Sequence, residues 1–236
     1  GAAFPTHCKL APPENKPRDT VLVNGAECEP FLTADHKIME LSSEEIVEGL
    51  KVVLKVLNAE KAIICIEDNK PGPIKEACEN LKNIEVATLK TKYPQGDERM
   101  LIKAVLDREV QAGGLPMDAG VVVINAYSVK SIYDAIFRNK PLYERIVTVT
   151  GSGVKNPQNV YTKIGVSLDY LIENAGGLKD EAKKIIVGGP MMGAAQFDTN
   201  APTVKSTGGI IVLEKEQAQT PVETPCIGCC RCVDIC

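Results

Sequence analysis

The sequence predicts an α/β fold with a parallel sheet, followed by a smaller α+β unit and a cysteine-rich end. Four short β-branched runs alternate with longer stretches of helical period. They lie at residues 20–23, 62–66, 84–88 and 120–124. Each run is apolar on consecutive positions, as in strands buried on both faces of a parallel sheet. The predicted elements become shorter after Pro141, and the sequence becomes polar after residue 213. These changes divide the chain into units 1–140, 141–213 and 214–236.

The best-supported helix follows the first strand. Ser42 and Glu45 have the spacing of an N-terminal capping box, in which each side chain bonds to the other residue's backbone N–H. An apolar face recurs at helical spacing beyond them, at Ile46, Leu50, Val53, Leu54 and Leu57. The opposite face is charged, so the helix is predicted to pack one side against the sheet.

The second unit has shorter elements. Strands are predicted at residues 145–149 and 185–187, and a helix near 168–175 that ends at Gly176 and Gly177. A further strand at 210–213 closes the unit in sequence, and we expect it to return to the first sheet or its edge. Residues 214–225 are polar and contain prolines, as is typical of a linker into the cysteines.

Composition excludes some classes of protein. The formal net charge is −4 over 236 residues, with no basic stripe, so nucleic acid is not expected as a partner. No apolar run reaches the ~18–20 residues that span a bilayer. The sequence opens at Gly1 without an initiator Met and stops at a ligand-type residue, Cys236, which indicates a piece of a longer protein.

The C-terminal cysteines have the spacing of iron–sulfur ligands. Five of the nine cysteines fall in the last eleven residues, which is not the distribution of a disulfide framework. The run C-x2-C-x2-C-x3-C predicts a [4Fe–4S] cluster bound by Cys226, Cys229, Cys232 and Cys236. A zinc site is the alternative, and Cys230 is a bystander. In two-cluster modules the fourth cysteine binds the other cluster, so this run can also hold three ligands of one cluster and one of another.

Three loops follow predicted strands and are expected to meet at one edge of the sheet. They span residues 24–29, 93–98 and 125–128. Open α/β sheets bind ligands at the carboxyl ends of their strands, so a shared crevice is predicted there. The small-residue opening 1–6 (GAAFPT), with Lys9 behind it, suits a phosphate or a flavin ring. Plainer interpretations are helix capping by Asp97 and Ser128, and an ordinary turn at residues 24–25.

These motifs resemble a known family. Residues 1–9 (GAAFPTHCK) and 23–30 (VNGAECEP) are similar to the flavin-binding signature of the NADH-dehydrogenase flavoproteins related to the NADH-binding subunit of complex I. Residues 27–36 and 93–98 most resemble the C subunits of Rnf electron transport complexes. Residues 145–189, with the following GGPMMG motif, resemble the small β-grasp domain called SLBB. The implied order is a flavin-binding parallel-sheet domain, an SLBB-like domain and the start of a ferredoxin-like iron–sulfur segment.

The resemblance implies a site for FMN, with NADH as substrate. The cofactor-binding residues implied are Gly1, Lys9, Asn24, Glu27, Glu29, Tyr93, Gly96, Asp97, Glu98, Asn125 and Ser128. Glu27 and Glu98 are the candidate catalytic residues. The sequence departs from the pattern at Ala3, which stands for a usual Gly, and at Ile124 and Tyr127, which stand for an Asn and a Glu of complex I. These departures affect the expected binding of the pyridine nucleotide more than that of the flavin.

The function implied is electron transfer between NADH, FMN and [4Fe–4S] clusters in exchange with ferredoxin, within a membrane-associated ion-translocating oxidoreductase complex. The expected partners are the other subunits of that complex, with the protein peripheral on the cytoplasmic side of the bacterial inner membrane. The isolated piece is expected to be inactive. Two alternatives remain: a cobalamin reductase of a bacterial microcompartment, and a non-catalytic iron–sulfur relay or docking module.

Overall fold

The computed structural model describes residues 4–11, 13, 18–70, 72–219 and 222–235. Gly1 and Cys236, which the sequence nominates as a flavin contact and a cluster ligand, lie outside these residues. The described residues form two sheets, one in each of the first two predicted units.

The first sheet has four parallel strands in the order β3-β2-β1-β4. Their bounds are β1 Thr20–Gly25, β2 Lys61–Glu67, β3 Ile84–Leu89 and β4 Val121–Asn125. All four predicted strands and their parallel pairing are therefore confirmed. The chain moves from β1 outward to β2 and β3, then crosses to the other side of β1 to form β4. The strand order reverses between β1 and β4, which is where such sheets open a crevice for ligands.

Helices cover both faces of this sheet. They are α1 Thr6–Leu10, α2 Ala34–Leu41, α3 Ser43–Leu57, α4 Pro73–Cys78, α5 Glu98–Leu106 and α6 Ala126–Phe137, with a short 3-10 helix at Pro116–Ala119. Val21 and Val23 of β1 share one hydrophobic core with α3 and α6. Leu22 points to the other face, where it shares a second core with Leu101 and Ile102 of α5. Apolar residues on consecutive strand positions thus fill two cores.

Helix α3 has the predicted apolar face but not the predicted capping box. Ile46, Leu50, Val53, Leu54 and Leu57 are all buried. Ser42 makes no side-chain capping bond, because it also ends α2: its N–H donates to the Ile38 carbonyl while its own carbonyl accepts from Ile46 N–H. A single residue joins the two helices, and its backbone (φ −138°, ψ 33°) does not adopt the extended geometry typical of an N-cap.

The second sheet is mixed and has five strands in the order β6-β5-β9-β7-β8. The strands are β5 Glu144–Thr150, β6 Gln158–Lys163, β7 Ala182–Val187, β8 Ala194–Gln196 and β9 Gly209–Glu214. Helix α7, Leu168–Asn174, covers one face through Leu168, Leu171 and Ile172, which pack with strand residues of β5 and β9. This arrangement agrees with the predicted small α+β unit.

The expectation that residues 210–213 return to the first sheet is wrong. Strand β9 lies inside the second sheet, parallel to β5 and antiparallel to β7. Ile210 and Val212 are fully buried in the core beneath α7, and Ile211 is buried as well. A strand that is apolar on consecutive positions must be buried on both faces. A central position in the second sheet provides that burial.

The cysteine-rich end carries one short helix, α8 Arg231–Ile235. Residues 222–234 are exposed throughout. Among the residues placed in the structure, no helix combines the length and apolar character needed to cross a membrane.

Candidate functional site

A cleft opens at the carboxyl ends of β1 and β4, where the strand order reverses. It has a volume of about 110 Å³. Six of the residues nominated from the sequence line it: Lys9, Asn24, Gly96, Glu98, Asn125 and Ser128. Phe4, Thr6, Val123 and Ile124 complete the wall. The predicted meeting of the three loops at one sheet edge is confirmed.

Lys9 places a positive charge in this cleft. Its ammonium donates hydrogen bonds to Glu98 Oε1 at 2.6 Å and to the Val123 carbonyl at 2.8 Å. The lysine comes from α1 and the glutamate from the first turn of α5, so the ion pair joins two segments far apart in sequence. Both side chains keep some exposure, 21% and 38%, and so remain accessible to a ligand.

Asn24 and Gly96 join the first and second of the three loops. The Asn24 amide donates to the Gly96 carbonyl at 2.7 Å, while its oxygen accepts from Ala26 N–H at 3.2 Å. A Cβ on Gly96 would lie 3.1 Å from Cys28 Sγ, which is closer than such contacts normally are. Glycine therefore allows Cys28 Sγ to pack closely against the backbone at this point. The neighbouring Asp97 caps α5 by accepting from the N–H groups of Arg99 and Met100.

Asn125 and Ser128 bring the start of α6 to the cleft. Asn125 is the N-cap: its oxygen accepts from Tyr127 N–H at 2.9 Å, and its amide donates to Asp35 Oδ2 at 2.6 Å. Ser128 lies in the first turn and shares the cleft wall with Thr6. The N-terminus of a 12-residue helix carries a partial positive charge, which together with two hydroxyls favours a phosphate.

Glu27, a candidate catalytic residue, faces away from the cleft. Its carboxylate accepts from Asp35 N–H at 2.7 Å and His36 N–H at 2.9 Å, at the start of α2, and lies 3.3 Å from the Lys70 ammonium. Burial, and then the nearby Asp35 carboxylate, raises the pKa of Glu27 to about 7. The structure thus places Glu27 as a buried cap of α2, and its catalytic role stays a prediction.

Glu29 and Tyr93 also lie outside the cleft wall. Glu29 accepts hydrogen bonds from the backbone of Met191 and Met192 in the second unit. Tyr93 is 39% exposed, and burial, followed by the charges of Glu29 and Cys28, raises its pKa. Of the eleven nominated cofactor residues, Gly1 lies outside the described residues. The structure gathers six of the other ten, directs Glu27, Glu29 and Asp97 to other partners, and leaves Tyr93 beyond the lining.

Sequence reasoning missed part of the cleft's surroundings. A second cavity of about 230 Å³ shares Phe4, Lys9, Glu98 and Val123 with the first. Its other wall is formed by Leu115, Pro116 and Met117 together with Val121 and Val122. Residues 115–117 match no motif and are brought there by packing. Thr6, in contrast, lies within the opening motif, residues 1–9, and could have been nominated as a hydroxyl donor.

The donor set fits FMN. An ammonium (Lys9), two hydroxyls (Thr6 and Ser128) and the amide of Asn125 can meet a phosphate and a polar ring edge, and the adjoining cavity is mainly apolar.

The cysteine segment has the right residue types but not a formed metal site. Cys226, Cys229, Cys230 and Cys232 are free and exposed. Gly228 N–H donates to Cys226 Sγ at 3.4 Å, and positive φ at Gly228 (69°) and Cys230 (57°) curls the loop. Within the described residues, no three potential ligands lie close enough to hold a metal ion. The cluster, with Cys236 as fourth ligand, stays a prediction.

Comparison with known proteins places these features in a family. The Nuo51 FMN-binding domain matches residues 1–134, and the SLBB domain matches residues 146–195. The chain is 47% identical to the C subunit of the Na(+)-translocating ferredoxin:NAD(+) oxidoreductase complex of Acetobacterium woodii, over 100% of this chain and 54% of that relative. It is 35% identical to the C subunit of the ion-translocating oxidoreductase complex of Rhodobacter capsulatus, over 100% of this chain and 46% of the relative. The chain thus spans about half the length of these relatives.

A solved structure shares the fold. An NAD+-reducing [NiFe]-hydrogenase in the air-oxidized state superposes with a TM-score of 0.75 at 18% identity, covering 92% of this chain and 44% of that one. The resemblance to the C subunits of Rnf complexes and the two-domain order predicted from the sequence are confirmed by these comparisons.

Proposed function

This chain belongs to the family of Nuo51 FMN-binding domains, and we propose that it is the FMN-carrying part of an electron-transfer subunit in an ion-translocating ferredoxin:NAD+ oxidoreductase complex. The observation that carries the proposal is the meeting of Lys9, Asn24, Gly96, Glu98, Asn125 and Ser128 in one cleft at the reversal of strand order. All six lie within the residues that match the family. The substrate is NADH, and ferredoxin exchanges electrons through the rest of the complex.

Each part of the cleft has a separate task in holding FMN. The hydroxyls of Thr6 and Ser128 and the start of α6 receive the phosphate, because they combine donors with the positive end of a helix. Lys9 balances negative charge on the cofactor. Glu98 holds the ammonium in place through the 2.6 Å bond, so less side-chain freedom is lost on binding.

The protein sets the conditions for the cofactor's chemistry. A bound FMN would supply the conversion between the two-electron chemistry of NADH and one-electron transfer. Lys9 and Glu98 are the titratable pair on the cleft wall, and they fix the local charge. Glu98 remains the candidate catalytic residue with access to the cleft. Leu115, Pro116 and Met117 give the adjoining cavity an apolar wall.

The cysteine segment is proposed to hold iron and sulfide. Cys226, Cys229, Cys232 and Cys236 have the ligand spacing, and the exposed position of the described thiols leaves them accessible to a metal. The other subunits of the membrane complex are the proposed partners. The proposed location is peripheral, on the cytoplasmic side of the bacterial inner membrane.

Titration of the full chain with FMN, followed by flavin fluorescence, tests the proposal. Lys9→Met should weaken FMN binding about 10–100-fold, because a charge-assisted contact is lost and Glu98 is left facing the anionic cofactor. Ser128→Ala should weaken it about three- to tenfold. Lys51→Met is the matched control, since Lys51 lies on the solvent face of α3 and pairs locally with Glu48.

Two outcomes count against the proposal. Equal FMN affinity in the wild-type, Lys9→Met, Ser128→Ala and Lys51→Met chains would place the flavin elsewhere. A full-length wild-type protein that does not bind FMN would favour the relay or docking module over a flavoprotein.

A further inference from the structure

We propose that Glu29 is a positioning residue that locks a turn of the SLBB domain onto the loop between β1 and α2, and through that loop fixes the cofactor cleft. This role rests on the proposed function. Residues 26–33 form the loop, which we call the clamp loop. Residues 188–193 form the turn that follows β7, which we call the glycine turn. In this role Glu29 binds the glycine turn.

Both oxygens of Glu29 are used by the glycine turn. Met191 N–H donates to Oε2 and Met192 N–H to Oε1, each at 2.9 Å. Two successive backbone N–H groups aimed at one carboxylate form the kind of concave anion site that turns provide elsewhere in proteins. The two donors lie more than 160 residues from Glu29 in sequence, so the contact joins the two domains.

The shape of the glycine turn is adapted to this contact. A Cβ on Gly189 would lie 2.2 Å from Glu29 Cδ and Oε2, where no side chain can fit. A Cβ on Gly193 would meet the Gly189 carbonyl at 2.4 Å, and Gly188 has φ +101°. Gly189 does not have a positive φ, so its lack of a side chain serves the approach of Glu29 and not the backbone conformation.

The clamp loop is held by the second domain at two further points. Leu32 packs so closely on Gly209, at the start of β9, that a Cβ there would lie 2.3 Å from Leu32 Cδ2. Thr33 N–H donates to Thr148 Oγ1 at 3.1 Å, and Thr33 Oγ1 pairs with the side chain of Asn159. The loop itself contains strained backbone, with φ 49° at Glu27 and 71° at Phe31. Such conformations persist where surrounding contacts hold them.

A continuous set of hydrogen bonds leads from the clamp loop to the cleft. Glu27, two residues before Glu29, accepts from the N–H groups of Asp35 and His36. Asp35 Oδ2 accepts from the Asn125 amide at 2.6 Å, and Asn125 lines the cleft and caps α6. Cys28 lies against Gly96 on the opposite wall. Release of Glu29 should therefore loosen both walls.

The test combines hydrogen exchange of the full chain without FMN and FMN titration. In Glu29→Ala and in Gly189→Ala, the amides of Met191 and Met192 should exchange about tenfold faster or more, with a smaller acceleration at Asp35 and His36 and a shifted Asn125 side-chain amide resonance. FMN affinity should fall about three- to tenfold. Glu85→Gln, an exposed change on β3, is the control.

A double-variant cycle separates this role from general destabilisation. Gly189→Ala acts by displacing Glu29, so it should add little in the Glu29→Ala background. Additive effects would overturn the proposal. A second result would also overturn it: faster exchange at Met191 and Met192 while amide exchange at Asp35 and His36, the Asn125 side-chain resonance and FMN affinity all stay unchanged. That result would mean that the contact only joins the domains. Where the alanine variant does not fold, Glu29→Gln, which keeps one acceptor oxygen, should give the same pattern at smaller amplitude.

The exchange data decide this inference separately from the proposed function. If the wild-type chain binds no FMN, the proposed function fails, while the response of Asp35, His36 and Asn125 to Glu29→Ala still shows whether the clamp loop is held from the glycine turn. If FMN binds and those groups do not respond, the positioning role alone is wrong.

Discussion

The carboxyl edge of the first sheet and the cysteine segment both carry residue patterns typical of redox cofactors, but they differ in how they are held. At the sheet edge, side chains from four segments meet, and Lys9, Asn24 and Asn125 each make a hydrogen bond of 2.6–2.8 Å to a residue distant in sequence. In the cysteine segment, the four described thiols are exposed. The first site is assembled by the fold around it.

This difference indicates where each site obtains its stability. The sheet edge lies on two hydrophobic cores, so its geometry is available before any cofactor binds. The cysteine segment has little apolar material to bury: Val222, Ile227 and Val233 are 88%, 86% and 73% exposed. Metal coordination would be its main source of order, as in small metal-dependent segments. The two sites should therefore respond independently to substitution.

The largest expected effect removes one site and keeps the other. In the full-length protein, supplied with iron and sulfide without oxygen, the triple variant Cys226→Ala, Cys229→Ala, Cys232→Ala should lose the [4Fe–4S] absorption and electron paramagnetic resonance signals completely. FMN content should be unchanged, because the flavin cleft has its own core. Cys230→Ala is the control and should keep the cluster signal. An unaltered signal in the triple variant would show that these cysteines are not ligands.

The next prediction concerns the hydrophobic core beneath the sheet edge. Leu50 is fully buried on α3, and Leu50→Ala should lower the free energy of unfolding by about 2–5 kcal/mol, because it removes buried methyl groups and leaves a cavity. Urea denaturation followed by circular dichroism measures this. Val222→Ala in the exposed segment should change stability by less than about 0.5 kcal/mol. Equal effects of the two substitutions would contradict the contrast between the regions.

The smallest effect concerns a single carboxyl at the sheet edge. Burial, together with Asp35, raises the pKa of Glu27 from 4.5 to about 7. The folded state then binds the Glu27 proton more tightly than the unfolded state, so this contribution to stability is present below pH 4.5 and is lost as pH rises to about 7. The loss should amount to about 1–3 kcal/mol.

Stability measured by urea denaturation from pH 4.5 to 8 tests whether this contribution of Glu27 is lost as pH rises. Glu27→Gln should show a flatter profile than the wild type across that window, whereas Glu85→Gln should keep the wild-type slope. A wild-type profile that rises with pH relative to Glu27→Gln would mean that the Lys70 ammonium and the N–H groups of α2 outweigh burial, and that the pKa of Glu27 is lowered.

The positions of the strands and the family could be read from local sequence. Consecutive apolar residues at 20–23 and 120–124 mark strands buried on both faces, and the loops after them carry the motif residues. Because these signals come from residues that are neighbours in the chain, they can be recognised without knowledge of the fold. The meeting of Asn24, Gly96 and Asn125 was predictable for the same reason.

Side-chain direction was decided by tertiary structure alone. Glu27 and Glu29 belong to the same motifs as the cleft residues, yet their carboxylates bind the start of α2 and the turn at Met191 and Met192. The cap that Asp97 forms on α5 is a local contact, which the sequence already offered as an interpretation. Strand β9 has the same apolar pattern as a strand of the first sheet, but it is placed by pairing with β5 and β7.

What the sequence by itself determined is therefore the four strands of the first sheet, strands β5, β7 and β9, helices α3 and α7, the chemistry of the loops and the family to which they belong. Only the tertiary structure decided which motif residues face the cleft and which hold the protein together. The physical reason is that residue type and periodicity are local properties, whereas a carboxylate takes the nearest well-placed donors, and for Glu29 these come from a turn more than 160 residues away.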